Sequence, residues 1–163
     1  MASMRSAEMS ADDTPPGSDP EHPITSLDRR WQAVGERRAH LVTADNPAIA
    51  HDYLVEHRGR LQLRFSEDGP PAPVLWRLRY VPDRLVVPRH ALDTYMTHLA
   101  ATPWPLPEAA AAAVIADVGS EVMPRFLQLV LLLDATSGGL RVTFEERRPN
   151  WSNPALMARL ALL

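Results

Sequence analysis

The chain has 163 residues and a net charge of −3; it contains no cysteine, and all 17 of its basic side chains are arginine. Without cysteine or lysine it can offer neither a thiolate nucleophile nor a lysine Schiff base, and the slightly acidic balance gives no electrostatic footprint for nucleic acid. The length suits one domain with one core; no apolar run is long enough to span a membrane and no signal-peptide core opens the chain, so a cytoplasmic protein is expected.

Met1 to Pro23 is rich in Ser, Asp, Glu and Pro, which predicts a disordered tail over 1–23 and a single domain over 24–163. Ser26 to Leu41 reads as a short helix, with Ser26 as N-cap and Leu27, Trp31 and Val34 on one face; Asn46-Pro47 breaks the chain after it. Arg60 to Phe65 alternates Leu61, Leu63 and Phe65 against Arg60, Gln62 and Arg64. Past a Gly- and Pro-rich turn over 66–73, Val74 to Tyr80 alternates again, with Val74, Trp76, Leu78 and Tyr80 opposite Leu75, Arg77 and Arg79. Two period-2 runs across a short polar turn predict an antiparallel hairpin. One face is apolar; the other carries Arg60, Arg64, Arg77 and Arg79 and must meet water, a partner or a ligand.

Arg89 to Ala101 sets Leu92, Tyr95, Met96 and Leu99 at helical spacing. A rigid Pro-rich connection, Thr102 to Pro107, leads to a second helix that opens at Pro107-Glu108 and runs through five alanines to Val118. Pro124 to Asp134 is an apolar strand, Ser137 to Gly139 a turn, and Leu140 to Glu146 an alternating strand. The tail, with Asn153 and Pro154 as a start and Leu156, Met157, Leu160 and Leu163 as a stripe, predicts a docking helix. Hairpin, two helices, hairpin is an α+β layer: a four-stranded antiparallel sheet with two helices on one face, in the order ββααββ. Its free edges invite pairing. Ring closure removes edges, so a homo-oligomer is expected, with sites at subunit boundaries.

The block Tyr80-Val81-Pro82-Asp83, followed by a helix carrying Leu92 and Tyr95, resembles the centre of the nitrile reductases of the queuosine pathway, the QueF family. Asp52-Tyr53 is similar to that family's Asp-Tyr before the first strand. Pro124-Arg125-Phe126 resembles its Pro-Arg-aromatic lead-in to the third strand, and Gly138-Gly139 its Gly-Gly turn. The resemblance covers roughly residues 52–151. It implies the tunnelling fold (T-fold), whose subunits assemble side by side into barrels, and it implies that the arginine face lines a tunnel. The residues alone equally describe a solvent-facing sheet surface.

The resemblance does not extend to the chemistry. Phe65 stands at the position of the family's nucleophilic cysteine, and Ala72 at that of its aspartate, to within one residue. Pro88-Arg89-His90-Ala91 replaces the motif associated with the nicotinamide cofactor. Nitrile reduction through a thioimide is thereby excluded. Glu108 aligns with the family glutamate that holds a purine or pterin edge if one residue is inserted before it; alone it reads as a helix N-terminal glutamate facing the macrodipole. Other chemistries of the fold rely on lysine, on a His-x-His zinc motif or on cysteine, all missing here. The histidines, at 22, 40, 51, 57, 90 and 98, form no i, i+4 pair, so no metal is expected.

Phe65, Trp76, Tyr95, Trp104, Glu108 and Arg79 remain as candidate substrate-binding residues, although core packing accounts for Trp76 and Tyr95 equally well. The expectation is a repurposed, cofactor-independent cyclase or isomerase of a secondary metabolite such as a polyketide. It would act on an apolar small-molecule substrate held in a near-attack conformation. The alternative is a non-catalytic protein for a purine- or pterin-like ligand, and a third reading is a purely structural assembly protein. Neither nucleic acid nor membrane is expected as a partner.

Overall fold

The structure is a computed structural model that describes residues 33–66, 68–133 and 139–160. The expected tail, Leu27 and Trp31 of the first helix, Ser137 and Gly138 of the second hairpin turn, and Leu163 lie outside the described residues. A helical stretch over 33–38 is followed by β1 (Ala44–Asp45), β2 (Val55–Leu63), β3 (Ala72–Val81), β4 (Leu85–Val86), α1 (Arg89–Ala101), α2 (Pro107–Val122), β5 (Phe126–Leu133), β6 (Leu140–Arg147) and α3 (Pro154–Leu160). The main sheet is four-stranded in the order β2-β3-β5-β6, antiparallel throughout, and β1 pairs with β4 in a small ribbon. This is the expected ββααββ order of the tunnelling fold.

The helices form where the apolar spacing demands. Leu92, Tyr95, Met96 and Leu99 are the buried stripe of α1, which lies over β2. Pro107 opens α2, where its missing N–H costs nothing; the alanines let the helix approach β5 and β6 closely. Met123 closes α2 in a left-handed conformation, φ 48°, and its N–H donates to the Gly119 carbonyl. The core is the layer between: Leu63, Val74, Leu78, Tyr80, Leu127 and Leu129 below, Leu92, Leu99, Val114 and Val118 above. Each such side chain contributes about 1.5–3 kcal/mol by leaving water.

Two expectations are corrected. The first strand starts at Val55, not Arg60. Glu56, Arg58 and Gly59 hide its period, because the apolar partner at Gly59 is supplied from the next strand: a Cβ there would lie 2.8 Å from Cζ2 of Trp76. The second concerns the face opposite the helices. Docking of α3 there buries Val81, Phe126 and Leu160 together with Leu156, Met157 and Trp151. Arg79, expected on an open surface, is 3% exposed beneath it; Nε donates to Glu56 at 2.6 Å and Nη1 to the Leu160 carbonyl at 3.3 Å. Arg64 lies past the end of β2, where its carbonyl accepts from the Trp104 N–H.

Candidate functional site

Much of the QueF-like signature meets at one structural clamp. Arg125, leading into β5, donates through Nη1 to Asp52 at 2.5 Å and through Nη2 to Asp83 at 3.0 Å. Asp52 also accepts from Trp151 Nε1 and Asn153 Nδ2, and Asp83 from Arg148. Asn46 donates to the Asp83 carbonyl and accepts from the Tyr53 hydroxyl at 2.6 Å. The Asn153 amide, with Arg125 and Trp151, holds the Asp52 carboxyl below the usual range against the opposing effect of burial. Burial pushes Asp83 up, but Arg148 and Arg125 outweigh it and hold that carboxyl low as well. Tyr80 accepts from the Val87 N–H at 3.0 Å and so pins the chain ahead of α1. These matched residues tie the loop before β2, the β3–β4 turn, the lead-in to β5 and the start of α3 together. Their work is to fix the fold.

The expected site residues do not converge on one cavity. Tyr95 is fully buried; its hydroxyl donates to Asp117 Oδ2 at 2.8 Å, and burial with that carboxylate pushes it far above the usual phenol range. Asp117, a buried acid in α2, is held by Arg37 Nη2 at 3.2 Å and by Arg37 Nε, which fastens the helical stretch over 33–38 to the domain. Sequence reading missed it because it stands among the apolar residues of α2, which is itself a signal that a buried partner exists. Trp104 packs against the core, donates from Nε1 to the Leu99 carbonyl at 3.0 Å and lies beneath the Arg37 guanidinium at 5.6 Å. Phe65 packs against the same core just past β2, and Ala72 pairs with Leu63 at the start of β3. Glu108 is exposed in the first turn of α2.

Of the expected aromatics, Trp76 borders a groove. It is buried, with its ring packed against Gly59 and covered by Arg89 at 5.8 Å, while Arg89 pairs with Asp93. A groove of about 420 Å³ runs there between β2 and α1. His57, on the same side of β2, stacks on Tyr80 and has a buried Nε2 without a hydrogen-bond partner among the described residues. Burial, reinforced by Arg89, depresses its pKa although Asp93 and the Val87 backbone oppose this.

The open sheet face holds the second groove, about 380 Å³, lined by Arg58, Arg60, Leu75, Arg77, Val130, Leu132 and Arg141, with Gly59 and Trp76. Strand register assembles it in rows. One row across β2, β3, β5 and β6 reads Arg58, Arg77, Val130, Thr143; the next reads Arg60, Leu75, Leu132, Arg141. Leu75 is 42% exposed on this floor. Burial, then the cations Arg79, Arg141 and Arg58, hold Arg77 below its usual pKa, with Glu56 opposing. Among the described residues no group of three or more His, Cys, Asp or Glu side chains is placed to hold a metal, and no helix is long and apolar enough to cross a membrane.

No protein-family model matches the chain, and no curated protein does. Among solved structures, the archaeosine synthase QueF-Like in its apo form is similar. The match is 14% identical, with a TM-score of 0.49, and covers 57% of this chain and 92% of that one.

Proposed function

We propose that this protein is a cytoplasmic tunnelling-fold subunit without nitrile reductase activity. It works on a largely apolar small molecule held on the open face of its sheet. Its chemistry is a rearrangement, a cyclisation or isomerisation, promoted by holding the substrate in a reactive conformation without a cofactor. The observation that carries the reading is the open groove itself: Leu75, Val130 and Leu132 form an apolar floor on a face where a solvated sheet would present polar side chains. Cysteine is missing from the whole chain, which removes the thioimide route. β2 and β6 end the sheet, with no further strand on either edge among the described residues, and the reading includes a homo-oligomer in which those edges pair between copies and close a ring around the open faces.

Two measurements test it. Light scattering should give a multiple of the 18.1 kDa chain mass; a stable monomer overturns the assembly. A thermal-shift screen with apolar carbonyl compounds should find ligands whose effect disappears in Leu75→Asp. Shifts that survive that substitution remove the open face as the site.

A further inference from the structure

The two edges of the sheet carry charge patterns that fit one another. β2 and β6 run in opposite directions, because every pairing in the order β2-β3-β5-β6 is antiparallel. The β6 edge of one copy can therefore pair with the β2 edge of the next, antiparallel and head to tail, as a ring requires. Four side chains of each edge strand share the open face: Glu56, Arg58, Arg60 and Gln62 on β2, and Arg141, Thr143, Glu145 and Arg147 on β6. Like charges directly opposite destabilise a sheet and opposite charges stabilise it, so each register has an electrostatic sign. Continued straight across, the rows set Glu145 opposite the partner's Glu56 and Arg141 opposite the partner's Arg60. A slide of two residues one way sets Arg141 opposite the partner's Arg58, and a slide of four the other way sets Arg147 there. A slide of two in that second direction removes every like pair. Glu145 then lies opposite the partner's Arg58, Arg147 opposite the partner's Glu56, Thr143 opposite the partner's Arg60 and Arg141 opposite the partner's Gln62. Odd slides turn the core-facing side chains outward.

Length selects the same register. All eight residues of β6 then lie against β2, over 56–63, and Leu140, 41% exposed, meets that edge at the partner's Leu63. Glu56 already pairs with Arg79 and Glu145 with Arg147 within one copy; the register joins these pairs, through Arg58, into one alternating network. The Arg58 carbonyl accepts from Arg89 Nη1 at 3.1 Å, but that side chain is 54% exposed and can yield to an incoming strand. The groove also continues across the boundary. Arg141 of one copy adjoins the partner's Gln62 and Pro73, which line a further space of about 470 Å³.

We infer that the chain pairs edge to edge with a second copy of itself, β6 on the partner's β2, in the register that sets Glu145 opposite the partner's Arg58 and Arg147 opposite the partner's Glu56. A molecule lying on the open face is then touched by two copies. The inference rests on the homo-oligomer proposed above and adds to it the register and the residues that select it.

Disulfide trapping on the full chain tests it, and the absence of native cysteine leaves no background. Three double variants combine Thr143→Cys with Arg58→Cys, Arg60→Cys or Gln62→Cys. Within one copy Thr143 lies three strand spacings from Arg58, about 14 Å, and the other two positions are no nearer, so any bridge formed joins two copies. Under mild oxidation the Arg60→Cys pair should give a ladder of cross-linked chains on a non-reducing gel. The other two should give about a tenth as much or less, because diagonal neighbours sit roughly 7–8 Å apart, beyond the reach of a disulfide. Charge reversal supplies a second readout. Glu145→Arg and Arg58→Glu should each raise the concentration at which the assembly half dissociates by about tenfold, and the double variant should recover most of that loss. Circular dichroism of each variant separates lost assembly from lost folding. A ladder from the Arg58→Cys or Gln62→Cys pair in place of the Arg60→Cys pair overturns the register while leaving the homo-oligomer standing. An oligomeric parent with no ladder from any pair overturns edge pairing itself, and a double reversal no better than its worse single variant overturns the charge selection. A parent that light scattering shows to be a stable monomer removes the proposed homo-oligomer and this inference with it.

Discussion

Replacing Arg125 by Met keeps most of the side chain's length and removes only its charge and donors. Four hydrogen bonds go with it: one to Asp52, two to Asp83 and one to the Ile49 carbonyl at 3.4 Å. Hydrogen bonds to charged groups contribute about 1.5–3 kcal/mol each in protected settings. Here the three ionic partners are between a fifth and a quarter exposed, and the carboxylates keep other donors: Trp151 and Asn153 for Asp52, Arg148 for Asp83. The loss should therefore be nearer one or two full bonds than four, about 3 kcal/mol in all. For a domain of this size that lowers the melting temperature by about 6–12 °C. The pH dependence has a definite sign. Both carboxyls sit below their unfolded value of 3.8 in the fold. Their contribution is present above that value and is lost as pH falls through the lower folded values. Arg125→Met raises those folded values, so the variant should start to acid-unfold at a higher pH than the parent, and the gap between the two should narrow once both carboxyls are protonated. Thermal melting followed by circular dichroism, at neutral pH and through the acid range, measures all of this. A variant that melts within about 1 °C of the parent at neutral pH would refute the clamp, and with it the claim that the QueF-like signature residues serve the fold.

Gly59→Ala should destabilise by about 1–3 kcal/mol, because the new methyl meets the Trp76 ring at 2.8 Å and that ring is held between the core and Arg89; a urea midpoint equal to or above the parent's would contradict the packing. His57 is held neutral by burial and Arg89, with a depressed pKa, so the unfolded chain takes up its proton first and stability falls as pH drops below 6.5. His57→Phe should keep the stack on Tyr80 and flatten that part of the curve; urea midpoints of the two proteins that run parallel below 6.5 would show that His57 is not the group responsible.

The sequence alone determined what depends on local period and composition. Helix α1 follows from Leu92, Tyr95, Met96 and Leu99 at helical spacing, α2 begins where Pro107 permits, and β3 and β6 follow from strict alternation. The composition alone shows a chain without cysteine, and no folding can supply a missing thiolate. Tertiary structure decided everything that depends on register and docking. Arg77 and Arg79 sit two residues apart on one strand face, yet Arg79 is buried with its Nη1 donating to the Leu160 carbonyl of α3, while Arg77 lines the groove. Arg58 and Arg141 are 83 positions apart and enter one groove only through the pairing of β2 with β3, β3 with β5 and β5 with β6. Trp76 needed a glycine across from it, and Asp117 needed Arg37 and Tyr95; each is a contact between distant segments that no periodicity encodes. A sequence pattern states which side of a strand a residue faces; what lies over that side is decided by packing.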